Sequence, residues 1–354
     1  MSTQNSSNLT NLEKADENYN MGLQYLQTSC INCRFFPSYL DAIHFFKKAA
    51  DAYHNSDQFE KEIAAREKIA NCLSNSGCYW EEGSEHEKMF KIQLNQLKLP
   101  LDAQNSMINA FHAYAANRSY DDGIKAMMKS SNEFISSEYR DEAEKILDFA
   151  FMGIDKYYHI IISNKESDYH CVYDCVDKYL DFLFSEQKFD KSAEISQKFA
   201  ELILKENKNE KRNICKYIGF QAVAELLGEK EDNFQKTIQK GKELEEDGDD
   251  FCSNIYRLVN IVRQNSKENE KIIKRLYDTV SRKMPSSFAK IFKIKFVNKA
   301  WTKRYNWILI LFELILIVNY IIKYIGVFNP NNILLFIIFL VSIIILFKIL
   351  IYIL

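Results

Sequence analysis

The chain has 354 residues, which is enough for one large domain or two smaller ones. It contains only 10 Gly and 4 Pro, and this scarcity of helix-breaking residues favours a mostly helical protein. The formal net charge of -2 excludes a global positive field for nucleic acid, so an electrostatic partner requires a local patch.

The N-terminal segment, MSTQNSSNLT, is polar and lacks the apolar core of a secretory signal. We therefore expect most of the chain to be cytosolic, with its eight cysteines reduced. Residues 1–17 are predicted to form a flexible N terminus.

The stretch SCINCRFFPSY, residues 29–39, combines two cysteines with an arginine and two phenylalanines. Cys30 and Cys33 have the spacing of half a zinc site or of a redox pair. Alternatively, the segment is an exposed apolar loop that contacts a membrane, or Phe35 and Phe36 begin the core of the next helix. The cysteines are also candidates for S-acylation.

Residues 18–285 show the periodicity of amphipathic helices. Apolar and small residues recur at helical spacing, as in Phe45, Phe46, Ala49, Ala50 and Tyr53. The segments QFEKEIA, EYRDEA and KFDKSA each begin with a polar residue and an aromatic, which suits a tight turn before a helix. We predict an all-α fold, an irregular stack of antiparallel helical hairpins similar to tetratricopeptide repeats, with a C-terminal helical bundle.

The sequence carries no recognisable catalytic chemistry. It has neither a Gly-rich phosphate loop nor an HExxH motif, and its six histidines are scattered. Cys171 and Cys175, beside His170, share a helix face and do not supply the second half of a zinc site. We therefore expect no enzyme, no metal and no cofactor, and a protein that holds other molecules.

The C-terminal part of the chain is strongly apolar. Two apolar segments, 307–325 and 333–354, flank the turn sequence Asn-Pro-Asn-Asn, and each is long enough to cross a bilayer. We predict a transmembrane helical hairpin over 305–354; a buried pair of core helices is the alternative. The segment 286–304 is predicted to be a basic juxtamembrane region on the cytosolic side, carrying Lys290, Lys293, Lys295, Lys299, Lys303 and Arg304.

Two charged residues interrupt the predicted spans. Glu313 and Lys348 are equally distant in sequence from the turn, so an antiparallel hairpin places them at similar depth. A lone charge there is unfavourable, and we interpret the two as an intramembrane pair. Separate snorkelling of each side chain to the cytosolic interface is the alternative.

Several segments resemble the soluble NSF attachment proteins (SNAPs), which link SNARE complexes to the ATPase NSF. YLDAIHFFKKAADAYHNSDQFEKEIAAREKIANC is similar to their first hairpin, and LYDTVSR, residues 276–282, is the most specific match. The resemblance covers roughly residues 18–296. It implies a twisted array of antiparallel helices that coats a SNARE bundle, recruits NSF and serves vesicle transport and membrane fusion on the cytoplasmic face of endomembranes.

The resemblance also implies specific contact residues. Lys145 and Lys178 match basic residues of the SNARE-facing surface, and Arg140 extends that patch; an ordinary solvated helix charge is the alternative for each. The segment SCINCRFF lies where the family has its membrane-inserting loop. That position assigns membrane contact to Ile31, Arg34, Phe35 and Phe36.

The chain departs from the family pattern in two places. Between Lys145 and Cys175 it is shorter, so we expect part of a hairpin to be lost. The basic segment before the predicted hairpin replaces the acidic C terminus through which the family contacts NSF. The second functional interpretation is therefore a tail-anchored helical-repeat receptor that docks peptides or a chaperone at an organelle surface.

Overall fold

The structure, a computed structural model, describes residues 3–28, 36–164, 167–245, 250–264 and 269–297. These residues form fourteen α-helices and no strand, which confirms the predicted all-α class. The helices are α1 (Thr3–Leu26), α2 (Tyr39–His54), α3 (Phe59–Asn75), α4 (Tyr79–Asn95), α5 (Pro100–Ala116), α6 (Tyr120–Ser136), α7 (Arg140–Ser163), α8 (His170–Ser185), α9 (Phe189–Glu206), α10 (Lys211–Leu227), α11 (Glu231–Leu244), α12 (Phe251–Gln264), α13 (Glu270–Ser281) and α14 (Ser286–Phe292). A π-helical turn, Lys293–Val297, follows α14.

The helices form an array of hairpins. Consecutive helices pack on each other, and a second set of contacts joins α5 to α7, α7 to α9, α6 to α8 and α10 to α12. From α5 onward several alternate helices therefore stack on each other, and the apolar stripes of the helices are buried in the array.

Most of the tight turns share one geometry. Seven of them place a residue with positive φ after the helix. In six of these turns the N–H of that residue and the N–H of the next residue donate to carbonyls of the last turn, as in a Schellman motif. Phe59 and Phe189 are the first residues of the helices that follow two of these turns. Tyr139 lies immediately before α7, the helix that follows a third turn. The predicted association of polar-aromatic pairs with helix starts is thus confirmed.

The N-terminal segment differs from the expectation of a flexible tail. Helix α1 begins at Thr3, Ala15 is buried against α2, and Leu12 and Tyr19 pack beside it. The Tyr53 hydroxyl also donates to Asp16 Oδ1 at 2.6 Å. Apolar residues at helical spacing, hidden in a polar sequence, give this helix a packing face.

The helical domain extends beyond its predicted end at residue 285. Phe288, Phe292 and Val297 are buried, and α14 packs on α8. The first part of the predicted basic juxtamembrane segment therefore belongs to the folded array. Lys290, Lys293 and Lys295 are exposed there, whereas Lys299, Lys303 and Arg304 lie outside the described residues.

The part of the chain between Lys145 and Cys175 falls in α7 and α8. Helix α7 has 24 residues and α8 has 16, and the two pack together. The loss of part of a hairpin relative to the family pattern stays a prediction.

The predicted membrane hairpin, 305–354, lies outside the described residues, and so does the Glu313–Lys348 pair. Within the described ranges, every helix is too short or too polar to serve as a membrane span.

Candidate functional site

A cleft of about 670 Å³ opens between the even-numbered helices and the turn before α14. Helices α6, α8 and α10 form its sides, and Phe251, the first residue of α12, supplies a buried aromatic ring. The remaining wall is the α13–α14 turn, 282–286. We call this site the basic cleft.

Charged side chains dominate the basic cleft. Five are cationic and two are carboxylates: Lys178, Arg212, Lys216, Arg282 and Lys283, with Asp177 and Asp181. The cations come from α8, α10 and the α13–α14 turn, so they converge on the cleft from separate walls. A concave surface with this balance concentrates anionic partners.

Lys178 lies partly buried at the α6–α8 contact. Its Nζ atom donates to the Met128 carbonyl at 2.8 Å. Burial lowers the pKa of Lys178, because the protein removes hydration from its ammonium group. A nearby anion would stabilise the charged ammonium group and offset the effect of burial, so this lysine is suited to anion binding.

One carboxylate of the cleft ties α8 to α10. Asp177 accepts hydrogen bonds from Lys216 Nζ at 2.5 Å and from the Tyr217 hydroxyl at 2.9 Å. Burial, aided by Asp177, raises the pKa of Tyr217 well above its usual value, so the phenol remains a donor. Asp177 thus positions Lys216.

The other carboxylate caps α14. Asp181 Oδ1 accepts the backbone N–H of Ser287 at 2.6 Å and that of Phe288 at 3.3 Å, and its Oδ2 accepts the Ser287 hydroxyl at 3.1 Å. Both carboxylates thus bind donors of the protein, and the five cations of the lining outnumber them.

Of the predicted SNARE-contacting residues, only Lys178 lies in the basic cleft. Lys145 is exposed on α7, and Arg140 forms an ion pair with Glu186 at the end of α8. Neither lines the cleft. The patch inferred from the resemblance is therefore divided between the exposed start of α7 and the cleft.

The other cleft residues were missed by sequence reasoning. Lys216 lies more than thirty residues after Lys178, and Arg282 lies a further sixty beyond it. The only local signals are basic residues in the first turns of α10 and before the Met284-Pro285 turn. No sequence rule brings these segments together without the packing of α8, α10 and α14.

The proposed membrane loop is described only at its end. Phe36 is 81% exposed and α2 begins at Tyr39, so Phe36 does not begin a helix core. Ile31, Arg34 and Phe35 lie outside the described residues, together with Cys30 and Cys33.

A second cavity, a polar groove of about 560 Å³, lies across α3, α4 and α5. Asn71, Asn105 and Asn109 line it, as does His86. The Nδ1 atom of His86 is buried without a hydrogen-bond partner, and burial lowers the pKa of this imidazole. The groove therefore offers the amide groups of its asparagines to a ligand, whereas His86 Nδ1 is buried in its wall.

Both cavities are built from side chains of several helices, as is usual for binding sites. Cys171 and Cys175 are buried, and burial raises the pKa of each thiol to about 12, so they pack as small apolar residues. Over the ranges that the structure describes, no group of three or more His, Cys, Asp or Glu residues is placed to hold a metal ion.

Neither a protein-family model nor a curated protein sequence matches the chain.

Proposed function

We propose that this chain is a SNAP-like adaptor that binds SNARE bundles and recruits an NSF-type ATPase to disassemble them. In this proposal the array is tetratricopeptide-like with a C-terminal bundle, and residues 305–354 hold it in the membrane of an endomembrane compartment. The observation that carries the proposal is the position of Lys178, a residue matched by the resemblance, in a positively charged cleft on a helical-hairpin array.

The physical basis is electrostatic complementarity. The resemblance implies a partner with an acidic outer surface, and cations on α7, α8 and α10 would steer it to the array and fix its register. Arg140 is engaged by Glu186, so we assign Lys145 and Lys178 the larger contribution. The exposed ring of Phe36 supports membrane contact by the loop that precedes α2.

The test is a pull-down of an assembled SNARE bundle by the full-length chain in non-ionic detergent. We expect the double variant Lys145→Glu, Lys178→Gln to weaken binding by about 2 kcal/mol, or roughly thirtyfold, because it removes two charged contacts. Gln at 178 keeps a donor for the Met128 carbonyl, so the fold is retained. Lys91→Glu on α4 is the matched surface control.

Addition of the ATPase tests the second half of the proposal. A ternary complex should be retained with a non-hydrolysable ATP analogue and released on hydrolysis. Unchanged SNARE binding by the double variant would remove Lys145 and Lys178 from the site, and the absence of any SNARE binding by the wild-type chain would refute the adaptor function.

The polar groove favours a second candidate, the peptide-docking receptor. Amide side chains such as Asn105 and Asn109 are suited to bind the backbone of an extended peptide, since each offers a donor and an acceptor. This candidate is favoured if selected peptides bind the wild-type chain, lose binding to Asn105→Ala and Asn109→Ala variants, and no SNARE bundle is captured.

A further inference from the structure

The basic cleft is more specific than a patch of surface charge. Its cations project from three separate segments into one concavity of about 670 Å³, a size typical of small-ligand sites. Lys178 comes from α8, Arg212 and Lys216 from α10, and Arg282 and Lys283 from the turn before α14. Such convergence suits a compact ligand whose negative charges lie close together.

The charge balance of the cleft indicates the kind of ligand. Asp177 holds Lys216 and Tyr217, and Asp181 holds the backbone of α14, so neither carboxylate is available to a ligand cation. Cations outnumber carboxylates five to two in the lining of the cleft. A ligand with several negative charges can contact more of these cations than a ligand with one carboxylate.

The donors also favour phosphate over other anions. A guanidinium group binds phosphate oxygens through two parallel hydrogen bonds, and a lysine ammonium binds them as a point charge. The cleft holds both types, and Lys178 sits where burial has removed part of its water. The aromatic ring of Phe251, with Lys283 Nζ 5.4 Å from its centroid, is buried beneath the floor of the cleft.

We propose that the basic cleft binds a compact polyphosphate, a ligand with two or more phosphate groups such as an inositol polyphosphate or a phosphoinositide headgroup. This inference does not depend on the adaptor function. Phosphate binding is measured without a SNARE bundle, so the failure of either proposal is distinguishable from the failure of the other.

The experiment is isothermal titration calorimetry on the full-length chain in non-ionic detergent at about 0.15 M salt. Inositol hexakisphosphate probes a soluble ligand, and a short-chain phosphatidylinositol bisphosphate probes a lipid headgroup. We expect Arg282→Glu and Lys178→Gln each to weaken binding of the preferred probe by roughly tenfold or more, as for a lost hydrogen bond to a charged group. Lys274→Glu, an equal charge change on the exposed face of α13, should weaken it by less than about threefold.

The outcomes separate the possible sources. Tighter binding of the lipid probe assigns the cleft to a membrane headgroup, and tighter binding of inositol hexakisphosphate assigns it to a soluble ligand; both support the proposal. Equal weakening by Lys274→Glu and Arg282→Glu would overturn it, because overall charge would then explain the binding. Binding of neither phosphate probe, or of a polyglutamate peptide alone, would also overturn it.

Discussion

At the scale of single residues, many of the turns contain a residue whose backbone is in the left-handed conformation, with positive φ. Among the described residues six non-glycine side chains have positive φ, whereas Gly77 is the only glycine that does. A left-handed conformation crowds Cβ against the carbonyl oxygen, at a cost of roughly 1 kcal/mol. The Schellman hydrogen bonds hold these residues in place despite that cost.

Two opposite substitutions test this cost. Gln187→Val should lower the free energy of unfolding by about 1–2 kcal/mol, because a β-branched side chain fits this region poorly, whereas Gln187→Gly should change it by less than about 1 kcal/mol. Gly77→Ala should lower it by about 1 kcal/mol although no atom lies within 4 Å of the added Cβ. Denaturant titration measures all three, and equal stabilities for Gln187→Val and Gln187→Gly would contradict the strain.

A buried ion-pair network joins α3 to α4. Arg66 contacts Glu62 at 2.7 Å and Glu85 at 3.0 Å, and the side chain of Glu62 is 0% exposed. Arg66→Met leaves two buried carboxylates without their main partner and should cost about 3–5 kcal/mol. Lys88→Met, which removes only a half-exposed partner of Glu85, should cost less than about 1 kcal/mol. Denaturant unfolding measures the loss of stability in each variant. Similar losses for Arg66→Met and Lys88→Met would show that burial does not determine how much these ion pairs stabilise the fold.

At the scale of elements, Asp181 attaches α14 to α8. It caps α14 from another helix, and Phe288 packs between Phe184 and Phe220. Asp181→Ala should cost about 1–2 kcal/mol and accelerate amide hydrogen exchange in 286–297, with little change in α2 and α3. Uniform acceleration over the whole array would contradict a local cap. Asp174→Ala, which removes an exposed carboxylate of α8, is the control.

The contact between α7 and α9 predicts a pH dependence. Burial alone would raise the pKa of Glu144, but hydrogen bonds from Lys188 and Lys191 outweigh burial and lower it below the usual value. A depressed carboxyl pKa stabilises the fold at neutral pH, and that contribution disappears as pH falls through the folded-state value, below about 4.3.

The corresponding test compares Glu144→Gln with the wild-type chain. We expect the variant to be less stable by about 1 kcal/mol at pH 7, with the difference shrinking below about pH 4 as the wild-type carboxylate takes up its proton. A stability difference that is independent of pH between these values, measured by urea unfolding, would contradict the assignment.

At the scale of the whole molecule, the core is divided. Residues of α1, α2 and α3 form one apolar cluster, and residues from α4 to the end of the described chain form a larger one. A small third cluster, made by Ile63 with Met89 and Ile92, lies between α3 and α4. In an array each repeat contacts mainly its neighbours, so stability need not be uniform. Between residues 11 and 26 of α1, only Ala15 and Gly22 are buried.

This division predicts the order of opening. In native-state hydrogen exchange, α1 and α2 should open at a free energy at least about 2 kcal/mol below that of α8 and α10, whose side chains form the larger cluster. Identical opening free energies for the two regions would show that the array unfolds as one unit. Ala15→Asp should unfold α1 without altering exchange in α10.

The sequence predicted the general architecture because its signals are local. Phe59 and Phe189 mark helix starts through the chemistry of the turns before them, and the helical class follows from periodicity. The ends of the domain were placed wrongly for a related reason: polar residues conceal the packing face of α1, and lysines conceal that of α14. The basic cleft depends on Lys178, Lys216 and Arg282 meeting through tertiary packing, which no local pattern encodes.

The docking of α14 on α8 determines how the molecule would carry mechanical load. Tension applied through the residues after Val297 acts first on α14, whose cap and aromatic contacts anchor it to α8. Because Phe288 contacts Phe184 of α8 and Phe220 of α10, the load enters the array through these two helices. A chain that is pulled while its C-terminal residues are held would therefore transmit the force through the walls of the basic cleft, and the array would not peel apart from its last helix.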